Sequence, residues 1–169
     1  MGLANQQFLN LNSDLKLLIE GRTFTYSDDF SIPKNSITDV LIQTGDDDTI
    51  ITVGDAFSFG SEVAFYGYSD STVTSYGDEL LVVNNNRQSD RVSQTKLFTS
   101  PVVTDVGVRI ISKIAYSPDA TAHTELVPVS ILNNVILNKH SSNIMRIINR
   151  DANADAKASI TIKFIEVEL

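Results

Sequence analysis

Along this chain apolar and polar positions alternate with a period of two in short runs, and the clearest run closes the sequence. Ile160, Ile162 and Phe164 fall on one side of an extended segment; Ser159, Thr161 and Lys163 fall on the other. This run, Ser159–Leu169, follows a second β-favouring run, Ile144–Asn149, across a small polar connector, Asp151–Ala158. Branched and aromatic side chains dominate both runs and suit a pleated, half-buried surface. The connector has no large apolar residue to anchor it and reads as an exposed loop. Together they predict an antiparallel hairpin. After Phe164 the alternation changes parity. Glu166 and Glu168 share a side with the earlier apolar set, and Ile165, Val167 and Leu169 take the other. Either a bulge shifts the register there, or the last apolar residues face something outside the core, such as another subunit.

Upstream, Gly21–Tyr26 alternates well enough to predict a strand, while Asp14–Gly21 is short enough to be helix or strand. Ser27–Asp29 and Ile32–Asn35 carry turn chemistry. Ile37–Thr44 and Thr49–Val53 predict a second hairpin around Gly45–Asp48. Further β-favouring runs lie at Glu62–Tyr68, Tyr76–Val83, Ser93–Phe98, Val106–Tyr116, Glu125–Val129 and Asn134–Leu137. Polar, glycine or proline breaks separate them, which gives about nine to eleven short strands and no convincing amphipathic helix. The pattern predicts an all-β fold, an antiparallel two-sheet sandwich, with a jelly roll as first choice and an immunoglobulin-like sandwich as second. Residues 14–169 form its single domain. Met1–Ser13 is polar and Asn/Gln-rich, with Leu3, Phe8, Leu9 and Leu11 as its only larger apolar groups. It reads as an N-terminal arm with no core of its own.

Composition narrows the function classes. At 169 residues the chain is long enough to bury a core without staples, and the absence of cysteine removes disulfides and thiolate metal sites. A formal net charge of −8, with basic residues scattered singly along the sequence, argues against nucleic-acid and anionic-membrane partners. No apolar run approaches the ~20 residues of a membrane-spanning helix. The first residues lack a secretory pattern, and Gln6 stands where a myristoylation site needs Ser or Thr.

Catalytic signatures are missing where they were sought. His123 and His140 lie in polar, loop-like stretches. Gly67–Ser71 approaches a nucleophile elbow but lacks the second glycine and a following helix. Asp151, Asn153 and Asp155 match the first three ligand positions of an EF-hand loop. Ala156 replaces the required glycine, however, and Ile162 replaces the bidentate glutamate. Asp46–Asp48 could hold a cation at a hairpin tip, or be a solvated turn. The aromatics from Phe57 to Tyr76 read as core first and as a sugar or partner surface second. No enzyme, cofactor or metal centre is expected.

From Asn84 onward a series of short motifs resembles a group of tailed-bacteriophage virion proteins. The chain carries Asn84-Asn85-Asn86-Arg87, then Pro101–Thr104 with Gly107 closing the turn, then Ile131-Leu132. Arg146–Arg150, a polar loop, and Ile160–Phe164 with trailing Glu166 complete the order. Those proteins carry N-x-N-R, a P-x-V-T-x-x-G turn and a closing N-R-loop-strand-E hairpin in their C-terminal halves. Here Phe164-Ile165-Glu166 stands where an aromatic pair before the glutamate is more typical. The resemblance spans residues 84–169 and implies a jelly-roll structural protein of the virion, often trimeric. Within that class it points to a capsid decoration (cement) protein on the shell exterior, bridging major capsid protein subunits. Expected partners are its own copies and the major capsid protein. The expected contact residues are Leu3, Phe8, Leu9 and Leu11 of the arm, and Ile165, Val167 and Leu169. Two alternatives are a tail-fibre or baseplate module binding a host glycan or receptor, and a β-sandwich hydrolase or accessory domain.

Overall fold

A computed structural model describes residues 14–115, 129–132 and 134–168. The segment left open between helix and strand is a short helix at residues 14–19. It ends in a left-handed cap at Gly21, φ 67°, where Gly21 N–H donates to Leu18 O and Arg22 N–H to Leu17 O. A Cβ at Gly21 would also lie 2.1 Å from Ser89 Oγ, so glycine is required twice over.

Fourteen strands follow: β1 Thr23–Ile32, β2 Ser36–Gln43, β3 Asp48–Phe59, β4 Val63–Ser69, β5 Thr72–Ser75, β6 Asp78–Leu80 and β7 Val83–Asn84, then β8 Lys96–Thr99, β9 Val102–Asp105, β10 Val108–Ala115, β11 Val129–Ser130, β12 Val135–Leu137, β13 Ser142–Asn149 and β14 Ala156–Val167. They form two six-stranded antiparallel sheets packed as a sandwich. Sheet A has the order β11-β3-β14-β1-β7, with β12 also on β3; sheet B has the order β10-β4-β13-β2-β8-β6. A two-stranded ribbon, β5-β9, stands apart. Pairing is nested, since β1 lies on β14, β2 on β13 and β3 on β12.

This nesting corrects both expected hairpins. β2 and β3 are consecutive but lie in different sheets, as do β13 and β14. The polar connectors between them are therefore corners crossing from one sheet to the other. β1 also runs on through Ser27–Asp29, read as a turn, because those residues pair in unbroken register with Thr161, Ile160 and Ser159. Turn chemistry is placed correctly at Asn35, Asp70 and Ser100, all of which adopt positive φ.

The core fills from alternate positions. β14 turns Ala158, Ile160, Ile162 and Phe164 inward, and β1 turns Phe24, Tyr26 and Ile32 inward. Phe24 and Phe164 are register partners whose rings stack at 5.6 Å. Sheet B contributes Val40, Ile42, Phe65, Leu97, Met145 and Ile147 to the same core. Of the two readings of the parity change after Phe164, the bulge is absent from β14, which stays in phase through a buried Glu166 and turns Ile165 and Val167 away from the core. The bulge sits in its partner: Lys163 pairs with Val53 and Phe164 with Ile51, so Thr52 is the extra residue. In β3 the inward set accordingly shifts from Thr49 and Ile51 to Gly54, Ala56 and Ser58.

Candidate interaction surfaces

The register of sheet B lays its outward side chains in rows across the strands. One row runs Ile114, Ala64, Ile148, Ile37, and the next runs Ser112, Tyr66, Arg146, Asp39. A third contains Arg109, Tyr68, Ile144, Leu41 and Phe98. Leu41, Phe98 and Ile144 form a second, smaller core with Tyr68 and with Val73 and Val103 of the β5-β9 ribbon. The ribbon thus lies over the third row. Ile37 and Ile114, in the first, remain 56% and 40% exposed.

Three of the six arginines converge on two tyrosines of this face. The Arg109 guanidinium lies 5.5 Å from the Tyr66 ring centroid and that of Arg150 5.9 Å; Arg146 lies 5.9 Å from the Tyr68 centroid. Arg150 Nη2 also donates to the Tyr66 hydroxyl at 2.5 Å. Arg146 is neutralised by a two-pronged pair with Asp39, at 2.8 and 2.7 Å, and this hydrogen bonding raises its pKa further. Arg109 and Arg150 have no carboxylate partner among the described residues. These three arginines, far apart along the sequence, are gathered in space because antiparallel pairing brings β4, β10 and the end of β13 side by side.

A buried polar knot closes the far end of β14. Glu166 Oε1 accepts from the Thr95 N–H at 2.7 Å and lies 2.8 Å from the Ser93 hydroxyl, while Oε2 is buried without a partner. Asp47, nearby in the chain to the Thr49–Thr95 hydroxyl pair, binds Arg91 at 2.9 Å and Arg22 at 3.7 Å. Arg22 Nη1 in turn donates to Glu166 O at 3.4 Å. These contacts tie the 91–95 segment to the ends of both central strands of sheet A, a structural role.

The expected site residues separate. Ile165 and Val167 are half-buried on the outer side of sheet A, with Ile165 between Thr23 and Ile50. Leu3, Phe8, Leu9, Leu11 and Leu169 lie outside the described residues, as does His123. The three adjacent aspartates take separate partners: Asp46 faces His140, Asp47 faces the two arginines, and Asp48 faces Lys139. Asp151 Oδ1 caps the N–H groups of Asn153 and Ala154, and Asp155 Oδ1 accepts from Lys34 N–H. Among the described residues no cluster of three or more His, Asp or Glu side chains could hold a metal ion. The Phe57–Tyr76 aromatics do not form one cluster either. Phe65 is core, Tyr66 and Tyr68 face outward from sheet B, and Tyr76 rests on Phe98 at 5.2 Å.

Two grooves flank Leu81. One, of about 410 Å³, is lined by Leu80–Val82, Val92 and Lys96 among others; the second, of about 440 Å³, is lined by Tyr26, Asp28, Val83 and Arg87 among others. Both are shallow and open, without converging acid, base and nucleophile. No described helix is long and apolar enough to cross a membrane. Comparison with protein-family models finds no match to this chain, and comparison with curated proteins finds none either.

Proposed function

We propose that this chain is a jelly-roll structural protein of a tailed-phage virion, a capsid decoration protein that stabilises the head by bridging major capsid protein subunits. The observation that carries the reading is the nested winding β1/β14, β2/β13, β3/β12, the order expected when one long β-hairpin folds over into two sheets. It agrees with the resemblance of residues 84–169 to such proteins. In this reading the chain works by being gripped, as a homotrimer, on the shell exterior. A protein that binds only assembled shells stabilises them by mass action. A stable contact of this kind buries about 1,200–2,000 Å². The uncovered Ile37, Ile114 and Tyr66 region of sheet B offers part of such a surface.

The test is light scattering for the mass of the purified protein, followed by co-sedimentation with expanded heads assembled without it. Multiples of the chain mass and saturable binding are expected; a monomer that ignores the heads sinks the reading. Deleting Met1–Leu11 should leave the melting temperature unchanged and weaken head binding. The tail-fibre or baseplate alternative draws on one observation, the outward Tyr66 beside two arginines that have no carboxylate partner among the described residues, which suits an acidic sugar. Glycan binding by the isolated protein, with no affinity for heads, would favour it.

A further inference from the structure

Sheet B carries two exposed apolar surfaces, one on its outer face and one at its β6 edge. On the outer face Ile114 of β10 and Ile37 of β2 are exposed at the two ends of one row, beside Tyr66 with Arg109 and Arg150. Two guanidinium groups sharing one aromatic ring repel each other unless an anion is supplied, and none of the described carboxylates supplies it. At the β6 edge the groove is lined by the Glu79–Lys96 pair, 3.1 Å apart, and by apolar side chains. Leu81 is 80% and Val92 79% exposed beside the groove of about 410 Å³, and exposed Asp78 and Asp90 flank them in sequence. Neither aspartate has a cationic partner among the described residues.

We propose that these two surfaces meet between copies of this chain, the isoleucine–arginine patch of one docking on the leucine–valine groove of the next. Apolar centre meets apolar centre, and Arg109 and Arg150 meet carboxylates that the acidic chain has in excess. The two surfaces differ, so the contact is heterologous. Such a contact generates a closed ring when its rotation allows, and an open filament when it does not. Arginine and tyrosine, which stand beside the isoleucines in the patch, are residue types that often anchor protein interfaces. This inference rests on the homo-oligomer of the function proposed above, and it assigns that oligomer its interface.

The experiment is sedimentation velocity on the full chain at fixed protein concentration. Two variants each break one side: Arg109→Glu with Arg150→Glu breaks the patch, and Leu81→Asp breaks the groove. All three positions are at the surface, so each variant should keep the wild-type melting curve. Each should associate at least about tenfold more weakly than wild type and sediment as a monomer. Mixed in equal amounts, the two variants retain one intact patch and one intact groove between them. The mixture should therefore sediment as a dimer that cannot close. Adding Asp78→Arg and Asp90→Arg to the patch variant should restore the wild-type mass. Variants that keep the wild-type mass would overturn the interface while leaving the oligomer standing. So would a mixture that stays monomeric. A monomeric wild type would overturn both.

Discussion

The outer faces of the two sheets are built on the same alternation and end in opposite chemistry. On sheet A the outward positions of β1 and β14 include Thr25, Ser27, Ser159, Thr161 and Lys163, with the Ser27 and Thr161 hydroxyls 3.0 Å apart. On sheet B the corresponding positions of β2, β4 and β13 include Leu41, Tyr66, Tyr68, Ile144 and Ile148. Threonine, isoleucine and tyrosine are comparably good strand formers, so strand formation does not decide between them. What decides is the medium each face meets. The outer rows of β1 and β14 are made for water from Ser159 to Lys163 and turn apolar only at Ile165 and Val167. Sheet B is made for contact, and the ribbon supplies that contact over only part of it.

The sharpest way to break this comparison is to truncate one residue on each outer face. Leu41, fully buried beneath the ribbon, should cost about 2–5 kcal/mol as Leu41→Ala, the range for a core leucine. Thr161→Ala, at the equivalent place on sheet A, should change stability by less than about 0.5 kcal/mol. Urea denaturation of both variants measures the difference. Equal losses would mean that the ribbon is a lid without a core beneath it.

A second test moves to the knot at the end of β14. Glu166→Ala leaves the buried Thr95 N–H without its acceptor and should cost about 1–3 kcal/mol. The 91–95 segment would loosen with it, which hydrogen exchange at Thr95 would register as lost protection. Unchanged protection there would show that the backbone alone holds the segment.

Much of this architecture was legible in the sequence, and the failures share a cause. Alternation alone located the inward set of β14, Ile160, Ile162 and Phe164, because burial on one face imposes a period of two. It could not distinguish a hairpin from a corner between sheets, since Gly45–Asp48 and Asp151–Asp155 offer the same turn residues either way. The distinction lies in the long-range pairing of β2 with β13 and of β1 with β14. Glu166 misled for a similar reason. Its charge suggested an outward position, while its buried partners, Ser93 and Thr95, lie 73 and 71 residues away. Arg109, Arg146 and Arg150 went unnoticed because only the β4–β10 and β4–β13 registers bring them to the two tyrosines. The ribbon strand β9 was hidden in Pro101–Thr104, which reads as a turn.

Between those faces in magnitude stands the Asp39–Arg146 pair, polar yet set among the apolar rows of sheet B. Asp39→Asn removes the charge and keeps the shape, leaving a guanidinium that is 21% exposed without its carboxylate. A loss of about 1–2 kcal/mol is expected, below that of a fully buried pair because water still reaches the site. Salt should narrow the gap between variant and wild type. A variant as stable as the parent at low salt would mean that Tyr68 alone holds Arg146.

The smallest effect concerns one inward side chain of sheet A. Tyr26 is 1% exposed and its hydroxyl is buried without a hydrogen-bond partner. Burial first, and then the neighbouring Asp28 carboxylate, push its pKa well above the ordinary range. The folded chain therefore keeps this proton at a pH where the unfolded chain, titrating near about 10, has lost it. The stabilisation linked to the neutral hydroxyl is complete below that pH and is lost progressively as pH rises through and beyond it. Tyr26→Phe removes both the orphan hydroxyl and this linkage. The variant should be more stable than wild type by about 0.5–1 kcal/mol at neutral pH, and the margin should widen above pH of about 10. A loss of stability at neutral pH would show that the hydroxyl has a partner.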